Sequence, residues 1–343
     1  MILDQNDPKE LARYQEFVRN YPDAQYTQDT AWADVKSNWT PEYIFLENTE
    51  GDIYAALSII MIEALTGKMF MYAPKGPVCD FRDTETVEAL ISEAQILAEK
   101  YDAFLLRIDP EYPEDDKLVE KYRSLGYKFR SKETYIHDFT QPRYNMLMDF
   151  SGISLEGSPD DEEYGFELFS SKMRSNIRRA IRDGAEVAYV NGEDVEQKYL
   201  DAFYEQIVQM AERQGINHRP KVYFERLLAA YPESRLCIIK HEEDVLCSSI
   251  SIPFGNKVMY LYAGSSNVKR NINSSELMIY ELFKWTYELG KKYFDFGGVF
   301  STDRSDGLYK FKRRFTGDEG LHKFIGELDV VYDELAYAEY LKK

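Results

Sequence analysis

Basic residues are too few to balance the acidic ones: 42 Lys and Arg stand against 60 Asp and Glu, a formal charge of −18 over 343 residues. A field of that sign repels phosphate backbones. It excludes broad nonspecific nucleic-acid binding and requires any polyanionic ligand to meet a local basic patch. Cysteine is scarce. Cys79, Cys237 and Cys247 are odd in number and sit in apolar, strand-like runs, which fits reduced thiols in a cytoplasm and not a disulfide framework. Four histidines, His137, His218, His241 and His322, lack ligand spacing with one another or with cysteine, so no metal site is expected. The longest apolar runs, such as "YAALSIIMIEAL" at 54–65, are too short and interrupted to cross a bilayer. No basic segment followed by an apolar one opens the chain, so neither secretion nor stable membrane insertion is expected. A Gly-x-Ser-x-Gly elbow, a phosphate-binding Walker loop and a dinucleotide fingerprint are all missing. An enzyme of this composition works by positioning and charge, without a cofactor or a covalent nucleophile.

What is present is a well-packed soluble composition, 44% hydrophobic and 30% charged, in a chain longer than one ordinary core. Two stretches repeat an order of events. The first is "GDIYAALSIIMIEALTGKMFMYAPKGPV" (51–78), "ETVEALISEAQILAEKY" (85–101) and "DAFLLRIDPE" (102–111). The second is "EDVLCSSISIPFGNKVMYLYAGSS" (243–266), "SSELMIYELFKWTYELGKK" (274–292) and "YFDFGGVF" (293–300). Each reads as hairpin, helix, strand. Leu90, Ala94 and Leu97 in one helix, and Met278, Leu282, Trp285 and Leu289 in the other, recur at the spacing of one buried face. Ser274 or Ser275 is expected to cap the second helix, with Gly290 beyond its last turn. Tyr72-Ala73 matches Tyr262-Ala263 across the repeat.

The expectation is an α/β (α+β) chain of two tandem domains, each a mixed sheet flanked by helices. The order of elements resembles the GNAT acetyltransferase fold. Domain 1 is expected over 1–150, completed by the C-terminal segment 322–343, and domain 2 over 151–321. Acetyltransferases of that fold hold pyrophosphate on a glycine-rich turn at a helix N-terminus. The corresponding turns here, "YAPKGPVCDF" and "YAGSSNVKRNINSS", lack the glycine pair, which argues against a coenzyme A donor.

Several segments, in order along nearly the whole chain, carry a more specific resemblance: "TQDTAWADVKSNW" (27–39), "YAPKGPV" (72–78), "LLRIDPE" (105–111), "SKMRSNIRRAIRDGAEV" (171–187), "MAERQGINHRPKVYF" (210–224), "MYLYAGS" (259–265), "YFDFGG" (293–298) and "DGLYKFKRRF" (306–315). Together they resemble the FemABX family of non-ribosomal peptidyltransferases, and within it the compact FemX type. The resemblance implies two GNAT-like domains and transfer of an aminoacyl group from aminoacyl-tRNA to a side-chain amine of the muramyl pentapeptide. Larger members insert a coiled-coil arm in the second domain. Nothing of that length interrupts 190–270, and the armless form is associated with the soluble precursor, UDP-MurNAc-pentapeptide.

Residue by residue, the family match places the acceptor's diphosphate at Lys36 and Arg219, joined by Tyr223 and Tyr262. An ammonium is a compact partner for a phosphate oxygen, and a guanidinium grips a diphosphate with a planar fork. Pro220 keeps Arg219 out of a helix. Asp109 ends the strand-like "FLLRI" and falls near the attacking amine, which it would orient; a carboxylate beside an ammonium also opposes its deprotonation. Some compact members carry tyrosine where Phe104 stands. Lys312 falls near the scissile ester as the cation for the oxyanion, with Phe311 shaping the pocket. If 308–315 is extended, Lys310, Lys312 and Arg314 share one side; if helical, Leu308, Phe311, Lys312 and Phe315 share a face. Contacts to tRNA phosphate are expected from Lys310, Arg313, Arg314 and Arg178, the last on a basic helix ended by Gly184.

These residues point to a cytoplasmic, monomeric, cofactor-free aminoacyltransferase that moves an amino acid of the Ala, Ser or Gly class from aminoacyl-tRNA to the third stem residue of UDP-MurNAc-pentapeptide. The rivals are a family member using the lipid-linked precursor, an acyl-coenzyme A N-acyltransferase, and a non-catalytic precursor-binding protein.

Overall fold

In the computed structural model, which describes residues 1–342, the strands are β1 (Thr40–Glu47), β2 (Ile53–Leu65), β3 (Lys68–Ala73), β4 (Ala103–Ile108), β5 (Lys128–Arg130), β6 (Tyr144–Asp149), β7 (Glu186–Asn191), β8 (Arg235–His241), β9 (Asp244–Phe254), β10 (Lys257–Ser265), β11 (Tyr293–Val299), β12 (Leu321–Lys323) and β13 (Glu327–Val331). The helices are α1 (Pro8–Asn20), α2 (Trp32–Val35), α3 (Thr84–Tyr101), α4 (Asp116–Ser124), α5 (Ser171–Arg182), α6 (Gln197–Gln214), α7 (Lys221–Ala230), α8 (Ser274–Glu288), α9 (Gly307–Thr316) and α10 (Glu334–Tyr340). The fold is mixed α/β with two mixed sheets, ordered β1-β2-β3-β4-β13-β5 and β12-β6-β11-β10-β9-β8-β7. The chain divides into unit 1 (Met1–Asn145, Gly298–Asp303 and His322–Lys343) and unit 2 (Met146–Gly297 and Arg304–Leu321). The segment Gly298–Asp303, expected in the second domain, groups with the first.

In unit 1 the hairpin β2–β3 is antiparallel, α3 crosses over, and β4 lies parallel to β3 from Met69–Ala103 to Ala73–Ile108. One face of this sheet is a conventional core: Met71, Ala73, Leu106 and Ile108 pack against Val87, Leu90, Ala94 and Leu97 of α3. Asp83 caps α3, accepting the Thr86 N–H at 3.2 Å. The same strands present charge alongside aromatic rings at other positions. Arg107 forms a two-pronged pair with Asp329 of β13, both bonds 2.7 Å, and both side chains are buried. Removing one partner of such a pair typically costs about 3–5 kcal/mol, because the other charge stays buried alone. The antiparallel register of β13 on β4 thus ties the C-terminal segment into unit 1.

In unit 2 the order recurs: β9–β10 antiparallel, α8, then β11 parallel to β10. α8 departs from a one-faced helix, since Leu277 through Tyr280, Leu282 and Phe283 are all buried. Leu289, expected on its core face, is 41% exposed and lies beyond the last full turn. The expected serine cap is also corrected. The N-cap is Asn273, in the left-handed region at φ +55° and with no side-chain cap bond, while Ser274 and Ser275 stand inside the first turn. Asparagine tolerates that conformation better than serine. Cys79, Cys237 and Cys247 are free thiols.

Candidate active site

The ladder between β10 and β11 runs from Lys257–Tyr293 to Met259–Asp295 and stops, although both strands continue. Past that point a cavity of about 1150 Å³ opens, wholly within unit 2. Tyr260 and Tyr262 line it from β10, Phe296 from β11, Arg219 from the α6–α7 loop, and Phe311 and Lys312 from α9. Close approach of α6 depends on Gly264, where a Cβ would meet the Gln206 backbone at 2.7 Å. In unit 1 the equivalent strands stay paired along their length.

The segment after β11 is a helix, not an extended strand. Asp306 caps α9 by accepting the Tyr309 N–H at 2.7 Å, and losing such a cap costs about 1 kcal/mol. Helical spacing buries Tyr309, Lys312, Phe315 and Thr316. Phe315 stacks on Phe296 at 5.6 Å and meets Phe311 at 5.2 Å, so Lys312 stands against an aromatic wall, 6% exposed. Burial pushes its ammonium down to about 8, with Asp295 acting in the opposite direction. Its Nζ lies 3.8 Å from where a Cβ on Gly297 would stand, an ordinary contact distance; Gly297 has φ +76°, so any side chain there would strain the backbone.

Arg219 is exposed just before α7, whose N-cap is Pro220. Its guanidinium lies 5.4 Å from the Tyr223 ring and reaches the Tyr262 phenol. Tyr223 and Tyr262 share a 2.9 Å hydrogen bond between hydroxyls, so the three residues form one polar cluster on an aromatic base that includes Phe224. Burial raises the Tyr262 phenol above its ordinary range, which keeps it neutral and able to donate.

Lys36 and Asp109 belong to unit 1. Lys36 ends α2 with its ammonium 5.4 Å from the Trp32 ring and 6.0 Å from the Trp39 ring. From Trp39 a line of rings runs through Phe70 (6.5 Å) to Tyr72 (5.9 Å). The Tyr72 hydroxyl then donates to Asp109 Oδ2 at 2.7 Å. Asp109 Oδ1 accepts the Lys75 N–H at 2.5 Å, and Lys75 Nζ lies 4.0 Å from Oδ2 and 3.7 Å from Glu111. Asp109 is 4% exposed, and burial pushes its carboxyl above the usual carboxylate range, partly offset by Lys75. Phe104, where some compact members carry tyrosine, is fully buried among Phe70 and Tyr340.

Of the cations expected to meet tRNA, Lys310 is exposed on α9. Arg313 is paired with Asp318, Arg314 with Glu276, and Arg178 with Glu163 through bonds of 2.6 and 2.7 Å. Sequence reading passed over Trp32 and Trp39, Tyr72 as a partner of Asp109, and Asp295. The available signal for Asp295 was a lone carboxylate inside the aromatic strand "YFDFGG", where an acid is expensive unless something answers its charge.

Comparison with known proteins decides the family. The FemAB family model matches residues 10–241 and 237–343. The chain belongs to the FemAB family. It is 36% identical over 346 residues, covering 99% of both chains, to the UDP-N-acetylmuramoylpentapeptide-lysine N(6)-alanyltransferase of Weissella viridescens. It is 26% identical over 395 residues to the lipid II:glycine glycyltransferase of Staphylococcus epidermidis, covering 94% of this chain and 91% of the relative. That alignment is longer than the present chain, so the glycyltransferase has residues with no counterpart in this FemAB member. Among solved structures, the fold matches FemX with a TM-score of 0.82 at 21% identity over 99% of this chain and 100% of that one. A tandem GNAT protein of clavulanic acid biosynthesis matches at a TM-score of 0.55 and 10% identity, over 96% and 97%. The two-sheet architecture is therefore GNAT-like in both halves.

Proposed function

We propose that this FemAB-family chain transfers alanine, or another small amino acid, from aminoacyl-tRNA to the side-chain amine of the third stem residue of UDP-MurNAc-pentapeptide. The observation that carries the reading is Lys312, an ammonium buried where β10 and β11 part, in a chain alike from end to end to the alanyltransferase of Weissella viridescens. The acceptor amine attacks the ester carbonyl, the C–N bond forms, and the carbonyl oxygen becomes an oxyanion. Lys312 stabilises that oxygen more than the neutral carbonyl, the differential binding that accelerates a step. Removing a comparable donor elsewhere costs roughly 3–4 kcal/mol. Collapse breaks the C–O bond to the ribose, whose oxygen takes up a proton as the amine releases one. Asp109 orients the attacking amine, Lys36 and Arg219 hold the diphosphate, and Phe311 shapes the donor end of the pocket.

Both substrates of this reaction are cytoplasmic, and cytoplasm is the location we assign. Among the described residues no helix is long and apolar enough to cross a membrane. A monomer is the state we assign to the chain. A single-turnover assay with a mixed pool of charged tRNAs, offered the UDP-linked and the lipid-linked precursor in parallel and read by mass shift, tests the reading. Transfer of alanine to the UDP-linked acceptor is expected. Transfer confined to the lipid-linked acceptor, or to acceptors from acetyl-coenzyme A, overturns it.

A further inference from the structure

Lys312 is not the only buried lysine near Asp295. Lys257, Asp295 and Lys312 are 6%, 4% and 6% exposed. Packing alone gives no reason for such a group, since well-packed apolar replacements of buried ion pairs are often neutral or stabilising. The carboxylate is held at both oxygens: Oδ1 accepts the Gly297 N–H at 2.7 Å, and Oδ2 faces Lys257 Nζ at 3.3 Å. The strand turn fixed by that first bond is also the one that lies against Lys312 Nζ, 3.8 Å from where a Cβ on Gly297 would stand. One carboxylate therefore sets the backbone beside the Lys312 ammonium and supplies the negative charge that opposes its desolvation.

The other charged or titratable groups around Lys312 do not supply that charge. From β10, Tyr260 and Tyr262 are held neutral by burial. From the α6–α7 loop, His218 and Arg219 bring no negative charge. On Lys312's own helix, Asp306 is engaged as the cap, while Glu276 of α8 is paired with Arg314.

We propose that Asp295 is a positioning residue for aminoacyl transfer: it holds Lys312 in place and in its charged form, and Lys257 sets how much of the carboxylate's charge Lys312 receives. The proposal rests on the reading of Lys312 as the oxyanion's cation. A neutral Lys312 amine would lose that role and would compete with the acceptor as a nucleophile.

The test uses the full chain with lysine carbons selectively labelled at Cε. The Lys312 resonance is identified by its loss in Lys312→Arg, and its titration is followed by NMR beside the pH profile of single-turnover transfer. Asp295→Asn is expected to lower the Lys312 midpoint by about one unit or more, as loss of a nearby opposite charge does. Lys257→Met is expected to move it the other way, and this second variant keeps the test open if Asp295→Asn does not fold. In each variant the basic limb of transfer should follow the NMR midpoint, and binding of the precursor should be unchanged. A midpoint that stays put in both variants, or shifts the same way in both, overturns the proposal. A midpoint that moves as expected while the transfer limb stays fixed removes Asp295 from the reaction and locates the failure in the assignment of Lys312. If instead transfer to the UDP-linked acceptor is absent in the parent chain while the midpoints move, the charge relation stands and the functional reading falls.

Discussion

The Tyr72 phenol donates a 2.7 Å hydrogen bond to Asp109 Oδ2 from the neighbouring parallel strand, and both side chains are buried. The carboxyl is thereby kept within a fixed frame, yet burial still raises its folded-state pKa above the ordinary 3.8. A carboxyl raised in the folded state contributes stability that is full below the unfolded value and is lost as pH rises through the folded one. Wherever Asp109 is ionised in the folded chain it therefore costs stability. Asp109→Asn should leave Tm at about pH 7 equal or higher, the gain fading toward about pH 4, while transfer falls. Thermal melts across that range check it; a large drop in Tm at neutral pH would make Asp109 a structural residue.

Lys312→Met should slow single-turnover transfer by at least ~100-fold with precursor affinity little changed, whereas Lys310→Met, on the exposed side of α9, should cost much less. The parent enzyme should lose activity as pH rises past about 8, where the buried ammonium gives up its proton. Because that value lies below the 10.5 of an unfolded lysine, the charged form costs stability in full below about 8, and the cost fades as pH rises toward 10.5. Equal, small losses of rate for both variants would return α9 to a basic surface turn.

Arg219→Lys keeps the charge but loses the planar fork, and affinity for the UDP-linked precursor should fall about tenfold by calorimetry. Lys36→Ala should weaken the same binding, since the two tryptophan rings at 5.4 and 6.0 Å steer its ammonium but do not replace it. Unchanged affinity in both variants would remove these residues from the acceptor site.

Donor binding should weaken with rising salt, but with a shallow slope, because Arg178, Arg313 and Arg314 already face carboxylates. Lys310→Met should reduce the slope by about one. Glu163→Gln frees Arg178 and should tighten binding if that arginine meets a phosphate. A Michaelis constant for aminoacyl-tRNA that ignores salt would exclude all four cations.

Local pattern was enough for much of this molecule. The repeated hairpin, helix and strand could be read because side-chain periods of two and 3.6 record which way each residue points. The helical option for 308–315 grouped Leu308, Phe311, Lys312 and Phe315 on one face; Lys312 and Phe315 are buried together and Phe311 meets Phe315, but Leu308 is 50% exposed and Tyr309 and Thr316 complete the buried side. Even the misplaced cap of α8, expected at Ser274 or Ser275, erred by only one or two residues from Asn273, where a left-handed backbone outweighed serine's usual preference. Motif order likewise carried the family. What tertiary structure decided is where the repeat stops being a repeat. β3 and β4 remain paired while β10 and β11 separate after Met259 and Asp295, and pairing is settled between strands distant in sequence. The burial of Lys312, and the convergence of Lys257 and Asp295 beside Gly297, follow from that separation. A pKa depends on the solvent and charges within a few ångströms, and those neighbours come from segments up to 55 residues apart, a distance no local pattern spans.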